Sequence, residues 1–285
     1  MGAYLSEQQR AAYRQDGFLV LPDFVDAQRC LELRERALLL AREHVPPPDE
    51  ATVFTADGGA RHAAERYFLT SGESIRCFFE KDAFDRNGRL RGEAHLSLNK
   101  LGHAMHDLDP VFDAFSRRPE LAAVAEDIGM AEPLLIQSMY IFKQPRIGGE
   151  VVCHTDHTYL WTDPPSVTGF WFAIDDATTE NGCMRALPGG HRLPVKARSK
   201  LNAERTASVL DILDPEPYPS EGLVALEARR GTLILLHGAL PHLSGPNRSD
   251  KPRHAYTLHA IDGAAEYLAD NWLQRPTLPP RGFAG

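Results

Sequence analysis

Leu134-Leu135-Ile136-Gln137-Ser138-Met139-Tyr140-Ile141-Phe142 is the stretch that turns the chain from helices to strands. Its aliphatic, β-branched and aromatic side chains suit a pleated, half-buried surface. Three more runs of the same texture follow: Gly169-Phe170-Trp171-Phe172-Ala173-Ile174, Thr232-Leu233-Ile234-Leu235-Leu236 and His254-Ala255-Tyr256-Thr257-Leu258-His259. Breakers separate them at Gly148-Gly149, Asn181-Gly182 and Pro188-Gly189-Gly190. Many short strands with such turns predict a barrel or a double-sheet jelly roll. No internal repeat or low-complexity tract interrupts the pattern. The charged segment 194–222, ending Asp214-Pro215-Glu216-Pro217-Tyr218-Pro219, reads as a long insertion between strands, the kind of loop that often covers a site.

Upstream, the spacing predicts helices around one strand. Ser6 with Gln9 forms a capping box for a first helix, and Gly17-Phe18-Leu19-Val20-Leu21-Pro22 reads as a short buried strand. Asp26 caps a second helix with apolar positions Leu31, Leu33, Ala37, Leu38 and Val45, stopped by Pro46-Pro47-Pro48. Residues 49–66 read as a surface loop. Asp109-Pro110 starts a helix through about Arg117, and Pro119 starts another to Ile128.

The 285 residues are 43% hydrophobic and 25% charged, the balance of a chain that buries a sizeable core. With 31 basic against 39 acidic residues the formal charge is −8, which argues against nucleic acid as a partner. Cys30, Cys77, Cys153 and Cys183 show no metal or disulfide spacing and read as reduced intracellular thiols. The N-terminus has no apolar signal region, and no stretch reaches the length of a membrane span, so the expected location is cytoplasmic. Met1-Gly2 with Ser6 loosely fits a myristoylation pattern, but Ser6 already has the capping role. Asn247-Arg248-Ser249 is formally a glycosylation sequon, without a reader in a chain that is not secreted.

The chemistry starts at His154-Thr155-Asp156. On a strand, residues two apart share a face, so the imidazole and the carboxylate can converge on one ion while Thr155 faces away. A further histidine is needed from a neighbouring strand. The segment Gly231–Ser244 offers His237 and His242, which are five apart, so only one of them can face the metal from a regular strand. Two histidines and one carboxylate on one face of an ion leave open positions, the arrangement of oxygen-activating Fe(II) enzymes. An oxygenase using 2-oxoglutarate must also hold that cosubstrate's far carboxylate, a task suited to the planar fork of arginine. Arg253 follows on the strand after His242.

The chain resembles the phytanoyl-CoA dioxygenase family of Fe(II)/2-oxoglutarate oxygenases. The resemblance is carried by Asp16-Gly-Phe-Leu-Val-Leu, Arg76-Cys-Phe-Phe-Glu-Lys81, Asn99-Lys-Leu-Gly-His103, Gln137-Ser-Met-Tyr-Ile-Phe-Lys-Gln-Pro145, Gly148-Gly-Glu150, Asp176-Ala-Thr, Glu180-Asn-Gly-Cys183 and Asn271-Trp-Leu-Gln274. It implies a mainly β fold with flanking helices, a double-stranded β-helix (cupin-like jelly roll). One domain over 1–285 is expected, with an N-terminal helical region of about 1–98 packed on a jelly-roll core of about 99–262. It implies Fe(II) held by His154, Asp156 and His242, with 2-oxoglutarate held by Lys100, Met139, Trp171, Ser244 and Arg253. O₂ is the other cosubstrate, and the implied reaction is hydroxylation of a small-molecule C–H bond with release of succinate and CO₂. The chain departs from the family where Pro188-Gly-Gly-His191 replaces Pro-Gly-Ser-His, and in residues 157–168 and 194–222, so the substrate stays open. So does the oligomeric state. An acyl-CoA would need a phosphate-binding basic cluster, and the sequence shows little beyond Arg229-Arg230.

Plainer readings compete at several positions. Lys100 alone would be a solvated lysine, and Met139 and Trp171 ordinary core residues. His237 reads as structural once Ser244 and Arg253 stand in family register with His242. His157 is expected at the rim or on the opposite face, His103 and His106 as surface or packed residues, and Cys153 as a small packing residue. The alternatives to an oxygenase are a non-oxidative cupin-type hydrolase or isomerase, which has no use for Arg253, and a non-catalytic ligand-binding module.

Overall fold

A computed structural model describes residues 3–46, 62–87 and 89–283. Met1-Gly2 and most of the expected 49–66 loop lie outside the described residues; the end of that loop is instead helical. The helices are α1 (Glu7–Asp16), α2 (Ala27–His44), α3 (His62–Leu69), α4 (Met105–Leu108), α5 (Pro110–Ser116) and α6 (Pro119–Asp127). Local chemistry fixes their starts. Ser6 and Gln9 exchange the reciprocal bonds of a capping box on α1, and Gly17 ends it at φ 79°. Asp26 caps α2, and one carboxylate oxygen of Asp109 accepts from the backbone N–H groups of Val111 and Phe112 at the start of α5.

The strands are β1 (Phe18–Leu21), β2 (Ile75–Phe79), β3 (Leu98–His103), β4 (Pro133–Ile141), β5 (Val151–His154), β6 (Thr162–Asp163), β7 (Thr168–Ala173), β8 (Met184–Ala186), β9 (Ala197–Leu201), β10 (Ser208–Ile212), β11 (Val224–Leu226), β12 (Leu233–His237), β13 (His242–Ser244), β14 (Ala255–Asp262), β15 (Glu266–Tyr267) and β16 (Arg281–Gly282). A large antiparallel sheet runs β1-β12-β7-β14-β4-β3-β2, with β16 also on β4, and a second runs β11-β8-β13-β5. The sheet therefore recruits β1 and β2 from the region read as helical, and β16 from beyond residue 262. The 194–222 insertion carries the β9–β10 hairpin.

The strand period of two divides the large sheet into two apolar faces. Phe170, Phe172, Leu233, Leu235, Tyr256 and Leu258 point outward and pack with Leu33 and Ala37 of α2 and Phe112 and Phe115 of α5. Trp171, Ala173, Ile234, Leu236 and Ala255 point inward and meet Met184, Ala186 and Leu226 of the second sheet. Two sheets closed over a shared interior are the jelly roll. The buried face of α2 is Cys30, Leu33, Ala37, Leu40 and Ala41. This stripe is rotated from the one expected: Leu31, about 100° round the helix from Cys30, is exposed.

Candidate active site

β5 and β13 pair so that His154 and His242 stand directly opposite each other, their ring centroids 4.3 Å apart. The strand ends at His154. Asp156 belongs to the 3₁₀ turn Asp156–Thr158, so the turn, and not one regular strand as expected, brings the carboxylate round. Thr155 does face away, its hydroxyl 2.9 Å from that of Thr158. The Nε2 atoms of His154 and His242 lie 3.9 and 3.8 Å from Asp156 Oδ1. One ligand atom from each of the three falls within 4.8 Å of the others, and among the described residues this is the one such cluster.

The tautomers follow from the backbone. His154 Nδ1 is 2.8 Å from the Val152 carbonyl and His242 Nδ1 is 3.0 Å from the Leu240 carbonyl. A carbonyl only accepts, so each Nδ1 carries the proton and each Nε2 keeps its lone pair for the shared centre. Burial, reinforced by His242, pushes His154 down to about 4, leaving it neutral and able to ligate at neutral pH. Burial alone would raise Asp156, but His259 and His242 outweigh it and hold the carboxyl well below the usual range. Two imidazoles that turn Nε2 to the shared centre and one ionised carboxylate make a donor set that fits a divalent cation.

Two residues that the sequence reading did not single out support Asp156. His259 Nε2 stands 3.4 Å from Asp156 Oδ2, on the side away from the two histidine ligands. Gly169 backs the same oxygen: a Cβ there would lie 3.1 Å from it. Strand register signals both, because Gly169, His259 and Gln137 are directly opposed on the inner face of the large sheet.

One strand period along, Trp171, Thr257 and Met139 form the next inward row, and Ala173, Ala255, Ile141 and Lys100 the one after. Lys100, Met139 and Trp171 therefore share the inner face. Lys100 is 7% exposed and burial brings it down to about 7, against the pull of Glu80, so it is not a solvated surface lysine. Arg253, two residues before β14, is 2% exposed and lies over the Trp171 ring at 5.4 Å. Its Nη2 donates to Ser244 Oγ at 3.5 Å, while Nε and Nη1 have no partner among the described residues. Burial lowers Arg253 to about 10, which leaves it charged at neutral pH. A buried guanidinium without a carboxylate costs several kcal/mol, so this end of the interior fits an anion.

The competing histidines go elsewhere. His237 Nδ1 accepts from the Ala239 N–H at 3.1 Å, and its ring lies 5.0 Å from that of His191. His157 is fully buried against Trp161, with ring centroids 4.3 Å apart, and is not at the rim. His103 ends β3 while His106 lies in α4, and both are buried on serine hydroxyls, His103 on Ser71 and His106 on Ser138. Cys153 is exposed, because its position on β5 points out of the interior, and so does not pack. The β9–β10 insertion reaches the site from outside: Arg198 covers the Trp161 ring, and Leu201 packs with Leu160, just beyond the Asp156 turn.

Comparisons with known proteins bear on the family and the fold. The family model for phytanoyl-CoA dioxygenase (PhyH) matches residues 13–255, a span that includes the triad and Arg253 and stops short of Thr257 and His259. A phytanoyl-CoA dioxygenase of Arabidopsis thaliana is 37% identical over 96% of this chain and 95% of its own length. Phytanoyl-CoA dioxygenase domain-containing protein 1 of Mus musculus is 39% identical over 97% and 98%. Among solved structures, the apoform of EctD from S. alaskensis superposes with a TM-score of 0.66 at 20% identity, covering 99% of this chain and 86% of that one. The carbocyclase SnoK, described as non-heme and alpha ketoglutarate dependent, gives 0.66 at 18% identity over 98% of each chain. At such identities the structures speak for the jelly roll, while the family model and the curated relatives reach across nearly the whole sequence: the chain belongs to the phytanoyl-CoA dioxygenase family.

Proposed function

We propose that this protein is an Fe(II)- and 2-oxoglutarate-dependent oxygenase that hydroxylates a C–H bond of a small molecule and releases succinate and CO₂. The observation that carries the reading is the pairing of two unmet demands in one interior. Two bare Nε2 lone pairs and a carboxylate converge on a cation position. In the same interior, Nε and Nη1 of the buried Arg253 have no partner among the described residues. His154, Asp156 and His242 would hold the iron, whose chemistry when loaded is activation of O₂ with 2-oxoglutarate as the electron source. Arg253, Ser244 and Lys100 would bind the cosubstrate's distal carboxylate, and Trp171 and Met139 would wall its carbon chain. Burial of Asp156, His242, Lys100 and Arg253 would strengthen each of these charge contacts. Solved relatives in the same fold are described with bound iron or 2-oxoglutarate, EctD among them, which supports this cosubstrate over a hydrolytic metal.

The test is anaerobic reconstitution with Fe(II), followed by succinate release on admitting air, with and without a metabolite extract. Succinate that rises with the extract and vanishes in Asp156→Ala is the expected result. A tetrahedral zinc that purifies at full occupancy and resists exchange would overturn the proposal. Cosubstrate that binds and is never consumed would instead favour a ligand-binding module.

A further inference from the structure

Lys143 is a buried cation that the metal triad and the Arg253 fork leave unexplained. It follows β4, is 1% exposed, and forms no ion pair among the described residues. Its Nζ donates to the Gly149 carbonyl at 2.6 Å and to Ser244 Oγ at 2.8 Å. We propose that Lys143 is a positioning residue for the distal carboxylate of 2-oxoglutarate, holding the Ser244 hydroxyl as an acceptor so that its proton is left for the bound acid. This rests on the cosubstrate reading above.

The argument is one of donor counting. A serine hydroxyl has one proton and two lone pairs. At Ser244 the lone pairs face two cationic donors, Lys143 Nζ at 2.8 Å and Arg253 Nη2 at 3.5 Å. The single proton reaches only backbone carbonyls, that of Gly182 at 3.1 Å and, more weakly, that of Gly245 at 3.5 Å. A carboxylate seated on Arg253 offers that proton a charged acceptor in place of a neutral one, and charge-assisted bonds are the stronger kind. Without Lys143, Ser244 is free to turn its proton elsewhere and the site loses a positive charge.

The surrounding chain is shaped to keep this lysine in place. Lys143 adopts φ 42°, a left-handed conformation that is uncommon without glycine. Its carbonyl accepts from the Arg253 backbone N–H at 3.2 Å and from Asn247 Nδ2 at 2.8 Å, which ties it to the start of the arginine's own segment. Its stem passes Gly182 so closely that a Cβ there would stand 2.7 Å from Lys143 Cε. The Asn181-Gly182 turn thus makes room for the ammonium. A lysine used only to staple loops would be cheaper on the surface, since burying its charge on a carbonyl and a hydroxyl is costly.

The experiment compares two ligands on the Fe(II)-loaded protein under anaerobic conditions: 2-oxoglutarate, and pyruvate, which keeps the 2-oxo acid but lacks the distal carboxylate. Lys143→Met should weaken 2-oxoglutarate by about tenfold or more, leave pyruvate within about twofold, and leave iron affinity unchanged. Equal losses for both ligands, or none for either, would overturn the proposal. Should Lys143→Met not fold, Lys143→Gln and Ser244→Ala give the same comparison. Arg253→Met separates the two levels: if it also retains 2-oxoglutarate, the cosubstrate reading itself fails, whereas its loss beside an unaffected Lys143→Met refutes the role of Lys143 alone.

Discussion

Replacing Arg253 with lysine keeps the charge and removes the fork, which makes it the sharpest probe of the acid-binding end. The guanidinium is pinned over Trp171 with Nε and Nη1 unpartnered among the described residues and Nη2 held only by a long 3.5 Å bond to Ser244 Oγ, so an edge that pairs Nη2 with Nε or Nη1 can meet one carboxylate. An ammonium on a flexible stem is a single, strongly hydrated point charge and cannot give two parallel bonds. Losing one charge-assisted hydrogen bond in a buried site costs about 1.5 to 3 kcal/mol, or about tenfold to a hundredfold in 2-oxoglutarate affinity. Iron binding should survive, because no ligand of the triad contacts Arg253. The assay is a pair of anaerobic titrations, Fe(II) and then 2-oxoglutarate, following heat or the weak visible charge-transfer band that needs both. A folded Arg253→Lys protein with wild-type 2-oxoglutarate affinity would refute the clamp.

Three further outcomes follow from the same structure. Lys100 and Lys143 each lie near 7 because of burial; the cation is the form an acid prefers, so 2-oxoglutarate affinity should be greatest below pH 7 and decline from pH 7 to 9 at saturating metal, while a flat profile would contradict both placements. Asp107 is wholly buried among Arg117, Arg275 and Arg281, so Asp107→Asn, which strands buried guanidinium groups, should destabilise the protein by about 3 to 5 kcal/mol in denaturant unfolding, and a loss under about 1 kcal/mol would show those pairs to be weak. Because the proposed iron site has the Asp156 carboxylate as a ligand where a halide would otherwise have to bind, the native protein should give hydroxylated product only, and a chlorinated product by mass spectrometry would count against the assigned role of Asp156.

What was legible in the sequence is what local chemistry writes into neighbouring residues. Caps, breakers and period-two runs located α1, α2, β1, β4, β7, β12 and β14, and the short span from His154 to Asp156 marked the metal end. The resemblance, not the spacing, chose His242 over His237. The sequence did not reveal contacts whose partners are far apart in the chain. Lys143 touches Gly149, Gly182 and Ser244, and nothing at position 143 announces that its ammonium is buried. His259 lies 103 residues beyond Asp156, and the register of β14 on β7 sets it opposite Gly169, which backs the same carboxylate oxygen. The shift of the α2 stripe has the same origin: its buried face is set by where the sheet lies, which the helix's own periodicity cannot state.

The two ends of the interior are coupled by their charges. At one end the ionised Asp156 and neutral His154 call for a cation; at the other Arg253 and the buried lysines, with Glu80, Glu150 and Asp175 as the acids that act on them, call for an anion. On β14 these ends are marked by His259 and Ala255, four residues or about 13 Å apart, with Thr257 between Trp171 and Met139 midway. In the proposed reading a five-carbon diacid would meet the cations with one carboxylate and the metal position with its other end, so each ligand would settle charge that the other also reduces. Binding free energies are reciprocal: whatever factor iron adds to 2-oxoglutarate affinity, 2-oxoglutarate must add to iron affinity. The jelly roll would supply the rigidity this coupling needs, because the ligands on and beside β5 and β13 of the second sheet and the cations on and beside β3 and β14 of the large sheet are held by two sheets closed over one interior.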